Sequence, residues 1–456
     1  MKTHRKVYIP VALAVLVAAV LVTFALPQSA GAVKAVGLLA CCLILWISEA
    51  MPISVSTLLM LALLPLLGLM DFTAVLSNFG VNTALFIMAS SGITVALSAG
   101  SIPQWLTRKI VKSSNAHPRR MVAGMALLVA LFSAFVSSLA TCTLFSAIVA
   151  DMLKHSGIKP RQSNFGKDLM LVIPACAGIG GFMSPAGTPA NILVMDLLKQ
   201  HGIYITFLQW CAVGFPVGIT AVLLFSLCVV LFFKPEKNLI AALPKPVSFD
   251  KKDVATAVVV AAVIAGWIVG SFVQVLNPTL VALVGLAVLF MLPLDLMDMP
   301  RFSRGVNWDL VLSMGAVSVL MTAIADTGLL SDVAKAVFSG AEGLAPWILL
   351  MLISLVICVF RAVIPTTTAV IALFAPMLLS IAAATGLNMT ALLLMASFWA
   401  AAALLLVYTE PIYLISFHKG YFTQKDLIIC GAVPSLLLCV VGTLEIDVLV
   451  RLLQLV

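Results

Sequence analysis

Four short polar runs interrupt an otherwise apolar chain, and they are where chemistry has room to occur. The first holds Ser137, Ser138 and Thr141, and the second holds Thr366, Thr367 and Thr368 behind Pro365. The third, Gly178 to Asn191, carries Gly187, Thr188, Pro189 and Asn191; the fourth, Val407 to Tyr413, carries Thr409, Glu410 and Pro411. A helix that begins at such a run points free backbone N–H groups and a partial positive charge into it, which suits a carboxylate or another small anion. Unwound carbonyls and hydroxyls suit a small cation. Pro189 and Pro411 lack the N–H that a first-turn residue leaves unused, so each is expected to start a helical half. Single serines and threonines also glue helices together; the matching of two turns with two breaks is what favours a site. Two charges lie among these runs, Arg361 one turn before the second and Glu410 within the fourth. Ionisable groups at membrane depth are costly and usually functional.

The elements that position these residues follow from composition. The chain has 456 residues, 62% of them hydrophobic and 10% charged, with mean hydropathy +1.19. A soluble domain carries about 25% charged residues, so this chain cannot cover soluble globules of its length and must spend it on membrane spans. Disorder, collagen, coiled coil and a disulfide scaffold are excluded on the same ground. The net charge of +8 reflects basic residues in short loops, which points to membrane topology and not to nucleic acid. Nine cysteines lie in apolar stretches without metal-ligand spacing, and the five histidines sit at span ends or in loops. There is no zinc spacing, phosphate loop or nucleophile–base pair, so neither an enzyme nor an organic cofactor is expected.

Apolar runs near 8–26, 35–50, 53–70, 84–106, 168–200, 206–233, 254–275, 279–298, 308–337, 389–416 and 427–450 read as about eleven membrane helices, the first retained and not cleaved as a signal. Residues 121–153 and 346–385 differ. Each is split by a polar run into halves too short to span, so each reads as a re-entrant hairpin. With the N-terminus cytoplasmic and the C-terminus outside, twenty-one Lys and Arg fall in inside segments and four outside, which supports this topology. Asn82 to Gln104 pairs without gaps to Asn307 to Leu329, and the two copies begin on opposite sides. The fold class is therefore an all-α polytopic membrane protein of the inner or plasma membrane, with inverted repeats, two hairpins and two broken helices.

Two motifs carry a family resemblance. Trp46-Ile-Ser-Glu-Ala-Met-Pro52 resembles the W-x-[ST]-E-A-x-P opening of the divalent-anion/sodium symporters. Ile179-Gly-Gly-Phe-Met-Ser-Pro-Ala-Gly-Thr-Pro-Ala-Asn191 resembles their I-G-G-x-x-[ST]-P-x-G-T-P-x-N break. The resemblance runs from about residue 35 to 450. It implies a homodimer of scaffold and sliding transport domains in the lipid bilayer, with a dicarboxylate, citrate or sulfate held between two Ser-Asn-Thr hairpin tips and a sodium ion beside each. Mapped here, substrate contacts are Ser137, Ser138, Thr141, Thr188, Pro189, Thr366, Thr367, Thr368 and Pro411. Gly187, Asn191 and Thr409 map to the coupling or cation-binding set, with sodium near Ser137 and Gly187; Arg361 and Glu410 join that set on their charge at membrane depth, where the family pattern leads one to expect neutral groups.

The tips depart from that pattern. They read Ser137-Ser138-Leu139 and Thr366-Thr367-Thr368, and the second break reads Thr409-Glu410-Pro411-Ile412-Tyr413. Arg361 can replace a sodium ion with a fixed charge, Glu410 can carry a proton or cation, or the two can form a structural pair. The domain reading divides the chain into scaffold 1–107, transport part 108–205, scaffold 206–307 with its loop 234–252, the repeat helix in 308–345, transport part 346–426 and a last helix 427–456. The function expected is secondary active transport of a small organic dianion of the C4-dicarboxylate kind, elevator fashion, by exchange or non-sodium coupling, with no cofactor beyond a sodium ion or proton as candidate coupling ions. An inorganic oxyanion carrier, a cation/proton antiporter and a transport-dead sensor are the rivals.

Overall fold

The computed structural model describes residues 2–25, 30–48, 50–114, 117–236, 244, 246, 248–273, 275–292, 294–325, 327, 344–362, 364 and 367–455. Among them are twenty α-helices and no strand. In chain order the first are α1 (Lys2–Ala25), α2 (Ala30–Ser48), α3 (Ile53–Leu66), α4 (Phe72–Ser77), α5 (Val81–Ser98) and α6 (Ile102–Ser113). The first turn and break lie in α7 (Pro118–Ser133), α8 (Ser138–His155), α9 (Asn164–Met183) and α10 (Pro189–Gln200). Then come α11 (Phe207–Phe233), α12 (Lys251–Gly270), α13 (Pro278–Phe290), α14 (Met299–Gly305) and α15 (Trp308–Ala325). The second half holds α16 (Pro346–Arg361), α17 (Thr367–Thr385), α18 (Met389–Ala401), a 3₁₀ turn η1 (Val407–Thr409), α19 (Pro411–Phe417) and α20 (Gln424–Leu452).

The protein is an all-helical polytopic membrane protein. Among the described residues α5, α9, α11, α12 and α20 are each long and apolar enough to cross a bilayer. α11 and α20 turn Leu223, Leu227, Leu231, Leu436 and Val440 outward, which is the apolar surface lipid requires. α9 and α18 are buried along nearly their whole length. They form the centre, packed between α7, α11, α19 and α20.

The sequence expected one span over 84–106, followed by basic residues in a short loop. Instead α5 stops at Ser98, and α6 carries the chain through Ser113. The corner is held by Asp253, which accepts from Ser101 N at 2.9 Å. Beyond it the apolar and basic residues fall on opposite faces of α6, with Trp105 against Phe249 and Lys109 over the Trp105 ring. That is an interfacial helix, which a span count reads as loop. Glu49, Pro365, Thr366, Asp326 and Lys335 lie outside the described residues.

Both broken helices are present, with shifted limits. The first was expected to open across Gly178–Asn191, yet α9 stays helical to Met183 and unwinds over 184–188. The glycines are needed for close packing: a Cβ on Gly178 would stand 2.6 Å from Ala401 O, and one on Gly180 would stand 2.3 Å from Ala130 O. Unwinding starts where Pro185 pushes Ser184 into extended backbone, φ −136° and ψ 160°. The second break was expected to start at Val407 but starts at Ala402.

Candidate functional site

The first turn spans residues 134–137 between α7 and α8. Ser137 leaves the helical region at the start of α8, with φ −43° and ψ 131°, and its N–H donates to Thr94 Oγ1 on α5 at 3.3 Å. Thr188 takes an extended conformation at the start of α10. Neither Ser137 nor Thr188 caps its helix with its side chain; this leaves the first N–H groups of α8 uncapped, whereas α10 begins on Pro189, which has no N–H, and Asn191 N donates to Thr188 O at 3.1 Å. Ser137, Gly187 and Pro189 line one cavity of about 650 Å³ together with Ser90, Ser91 and Thr94 of α5.

Behind that surface lies a cradle of oxygens. A Cβ on Gly187 would sit 2.5 Å from Gly181 O and 2.8 Å from Ser133 O; one on Gly181 would sit 2.5 Å from Ser138 Oγ and 3.5 Å from Gly187 O. The absence of both side chains lets the break and the turn lie backbone against backbone, with Gly181 Cα also 2.8 Å from the Gly187 Cβ position, and gathers in one region neutral oxygens of the type that ligate a small cation. Ser133 Oγ donates to Ala177 O at 2.6 Å and lies 3.1 Å from Ser138 Oγ. Thr141 is buried beneath the turn, where its hydroxyl donates to Val136 O at 3.3 Å. Asn191 is stapled: its amide donates to Gly181 O at 2.8 Å and Ser184 O at 2.7 Å, and its Oδ1 accepts from Ser397 Oγ at 2.6 Å. Trp210 Nε1 holds Phe182 O at 2.9 Å. The unwound carbonyls are thus satisfied inside the protein, as burial demands.

The second half is built around Arg361, which is 1% exposed. Its Nε donates to Ala400 O at 3.0 Å, and its Nη1 donates to Ile364 O at 2.7 Å and Thr409 O at 2.9 Å. Its Nη2 pairs with Glu410 Oε2, a carboxylate oxygen that Thr367 Oγ1 also approaches, at 3.5 Å. Thr409 Oγ1 donates to Leu406 O at 2.7 Å. One guanidinium therefore ties the end of α16, the end of α18 and the second break together. Gln424 completes the work by accepting from Val407 N at 2.8 Å and donating to Leu405 O at 3.0 Å. These carbonyls do not fit a second sodium, because a fixed cation already occupies them.

Thr366 and the side chain of Thr368 lie outside the described residues. Of the described second-half candidates, Thr367, Arg361, Thr409, Glu410 and Pro411 do not line the cavity. The halves still meet. Gly178 abuts Ala401, Asn191 bonds Ser397, and α8 reaches α19 through Cys142 Sγ to Ile412 O at 3.1 Å and Ser146 to Ser416 at 2.7 Å. Among the described residues no cluster of three or more His, Cys, Asp or Glu forms a metal site. Sequence reasoning missed Thr94, Gln424 and the clasp in which Asn82 (2.8 Å) and Thr83 (2.5 Å) donate to Asp196. Asn82 and Asn307 open the two repeat copies, and that recurrence was the available signal.

The model of the citrate transporter family matches residues 43–402. The chain belongs to this family. It is 24% identical to the sodium-dependent dicarboxylate transporter SdcS of Staphylococcus saprophyticus over 89% of this chain and 83% of that one. It is 23% identical to an uncharacterized transporter of Haemophilus influenzae over 91% of each. The fold is similar to the YdaH transporter of Alcanivorax borkumensis, with TM-score 0.56 at 15% identity, covering 84% of this chain and 88% of that one. The divalent-anion/sodium symporter resemblance of the motifs agrees with these relatives. This citrate-transporter family member is a secondary transporter and an integral membrane protein, not an enzyme.

Proposed function

We propose that the chain carries a small organic dianion of the C4-dicarboxylate class across the membrane by an elevator-type alternating-access cycle, as a homodimer. One observation carries the reading: the uncapped N-terminus of α8 and the start of α10 at Gly187 and Pro189 border a single cavity with four hydroxyl residues of α5. Two positive helix ends and neutral donors suit a carboxylate better than a cation. The oxygen cradle at Gly181 and Gly187 is the place for one coupling sodium, which would be held by Gly181 O, Ser133 O, Ser138 Oγ and Gly187 O and would add charge beside the anion. In the second half Arg361 supplies the positive charge directly. The moving unit is α7–α11 with α16–α20, wider than residues 108–205 and 346–426, because α11 and α20 pack on the broken helices and on each other.

Proteoliposome uptake tests this. Succinate or malate should accumulate saturably, in preference to sulfate and phosphate, and a sodium gradient should stimulate uptake. Uptake of inorganic oxyanions alone, or of no anion in the panel, would overturn the reading in favour of an oxyanion carrier or a transport-dead sensor. The hairpin topology has its own test. Ser113 and Gln162 flank the first turn and are exposed, so single cysteines at both should react with an impermeant thiol reagent from the same, cytoplasmic side. Reaction from opposite sides would make residues 118–155 a span and remove the inverted repeat.

A further inference from the structure

The cavity wall facing α8 and α10 comes from the start of the second repeat, where it carries Arg301 and Arg304 of α14 with Gly305 and Asn307. Neither guanidinium belongs to an ion pair among the described residues. Arg301 is half-buried and its Nη2 leans on Val95 O at 3.4 Å, while Arg304 is exposed. The nearest acid on the same element, Asp298, accepts from Arg301 N at 2.7 Å as the cap of α14. Asp309, at the start of α15, accepts from Ser54 N at 3.3 Å.

The inverted repeat supplies the comparison. Gly80-Val81-Asn82 and Gly305-Val306-Asn307 are identical, and counting back in that register sets Arg301 against Leu76 and Arg304 against Phe79. The same position in the repeat is thus cationic in one copy and apolar in the other. The positive-inside count makes the cationic mouth cytoplasmic. Positive residues there satisfy that rule wherever they point; these two point into the cavity, which the rule does not require.

Building on the dianion reading, we propose that Arg301 and Arg304 form an anion-gathering vestibule at the cytoplasmic mouth, so that the carrier takes up its dianion more readily from the inside than from the outside. Charges of one sign lining a cleft raise the local concentration of counter-ions roughly 10- to 1,000-fold. The effect fades with salt, since the screening length is about 8 Å at physiological ionic strength.

The test reads local potential without needing to know the substrate. Ser91 lines the cavity. Ser91→Cys is labelled with an anionic methanethiosulfonate (the ethylsulfonate) and a cationic one (the ethyltrimethylammonium), with the parent protein as background. Neutralising both arginines (Arg301→Gln with Arg304→Gln) should lower the anionic-to-cationic rate ratio roughly tenfold at low salt. Arg301→Lys with Arg304→Lys should preserve it, and Arg304→Gln alone, at an exposed position, serves if the double variant misfolds. In oriented proteoliposomes the KM for succinate should rise at the cytoplasmic face and stay unchanged at the outer face. An unchanged labelling ratio, or equal KM changes at both faces, overturns the vestibule. A lowered ratio in a protein that carries no dianion upholds the vestibule and overturns the dianion reading instead.

Discussion

Replacing Arg361 with glutamine should destabilise the protein by about 3–5 kcal/mol, the range for breaking a buried ion pair from one side. Glu410→Gln should cost less, about 1.5–3 kcal/mol, the value of one charged hydrogen bond. The asymmetry follows from geometry. Arg361 donates to Ala400, Ile364 and Thr409 carbonyls as well as to Glu410. Removing it leaves three buried carbonyls without that donor and a carboxylate without its partner. Removing the carboxylate leaves a guanidinium that still has three acceptors. For the same reason Arg361→Gln with Glu410→Gln should not regain wild-type stability, as a simple isolated pair would. Thermal unfolding in detergent measures all three. Equal losses in the two single variants, or full recovery in the double, would mean that the carbonyl bonds contribute little. Uptake should be lost in both Arg361 variants; a sodium-driven wild type whose transport survives Arg361→Gln would return the second half to ordinary ion coupling.

Gly187→Ala should abolish sodium stimulation and reduce anion uptake at least tenfold. The new Cβ would sit 2.5 Å from Gly181 O and 2.8 Å from Ser133 O, both backbone atoms on separate packed elements. Neither can retreat without opening the break or the turn, and overpacking of this kind costs roughly 1–3 kcal/mol. Gly442→Ala on α20 is the control: its Cβ would meet nothing closer than Leu438 Cδ2 at 3.6 Å, so it should be nearly neutral. Wild-type sodium activation in Gly187→Ala, on protein of normal stability, would move the cation away from the cradle.

How much was legible in the sequence varies with the range of the forces involved. The first turn and the proline-started halves are local, set by Pro185, Pro189 and Pro411 and by short hydroxyl residues, and they were readable. The limits of the second break were not. Nothing at Ala401 to Leu404 forbids a helix; Arg361 takes the Ala400 carbonyl, Gln424 takes the next free groups, and Gly431 lets α20 lie against Leu404 O. Those partners come from two other helices. Asn191 was assigned to cation binding from the motif, whereas both ends of its amide are engaged by the protein. Arg301 and Arg304 counted only toward topology, since spacing in the sequence says nothing of which loop residues turn into a cavity.

The internal staples also constrain how the chain is made. α10 and α19 have twelve and seven residues, each too short to cross a bilayer by itself. Phe182 O waits for Trp210, and Asn191 waits for Ser397, which emerges from the ribosome 206 residues later. Until then the nascent first half carries the unpartnered Oδ1 of the Asn191 side chain at membrane depth, a polar group that lipid does not satisfy. The first broken helix must therefore stay sheltered by α7 and α11, or by insertion machinery, through most of synthesis. Chains truncated before Ser397 should be retained as substrates of membrane quality control, whereas truncation after α20 should not.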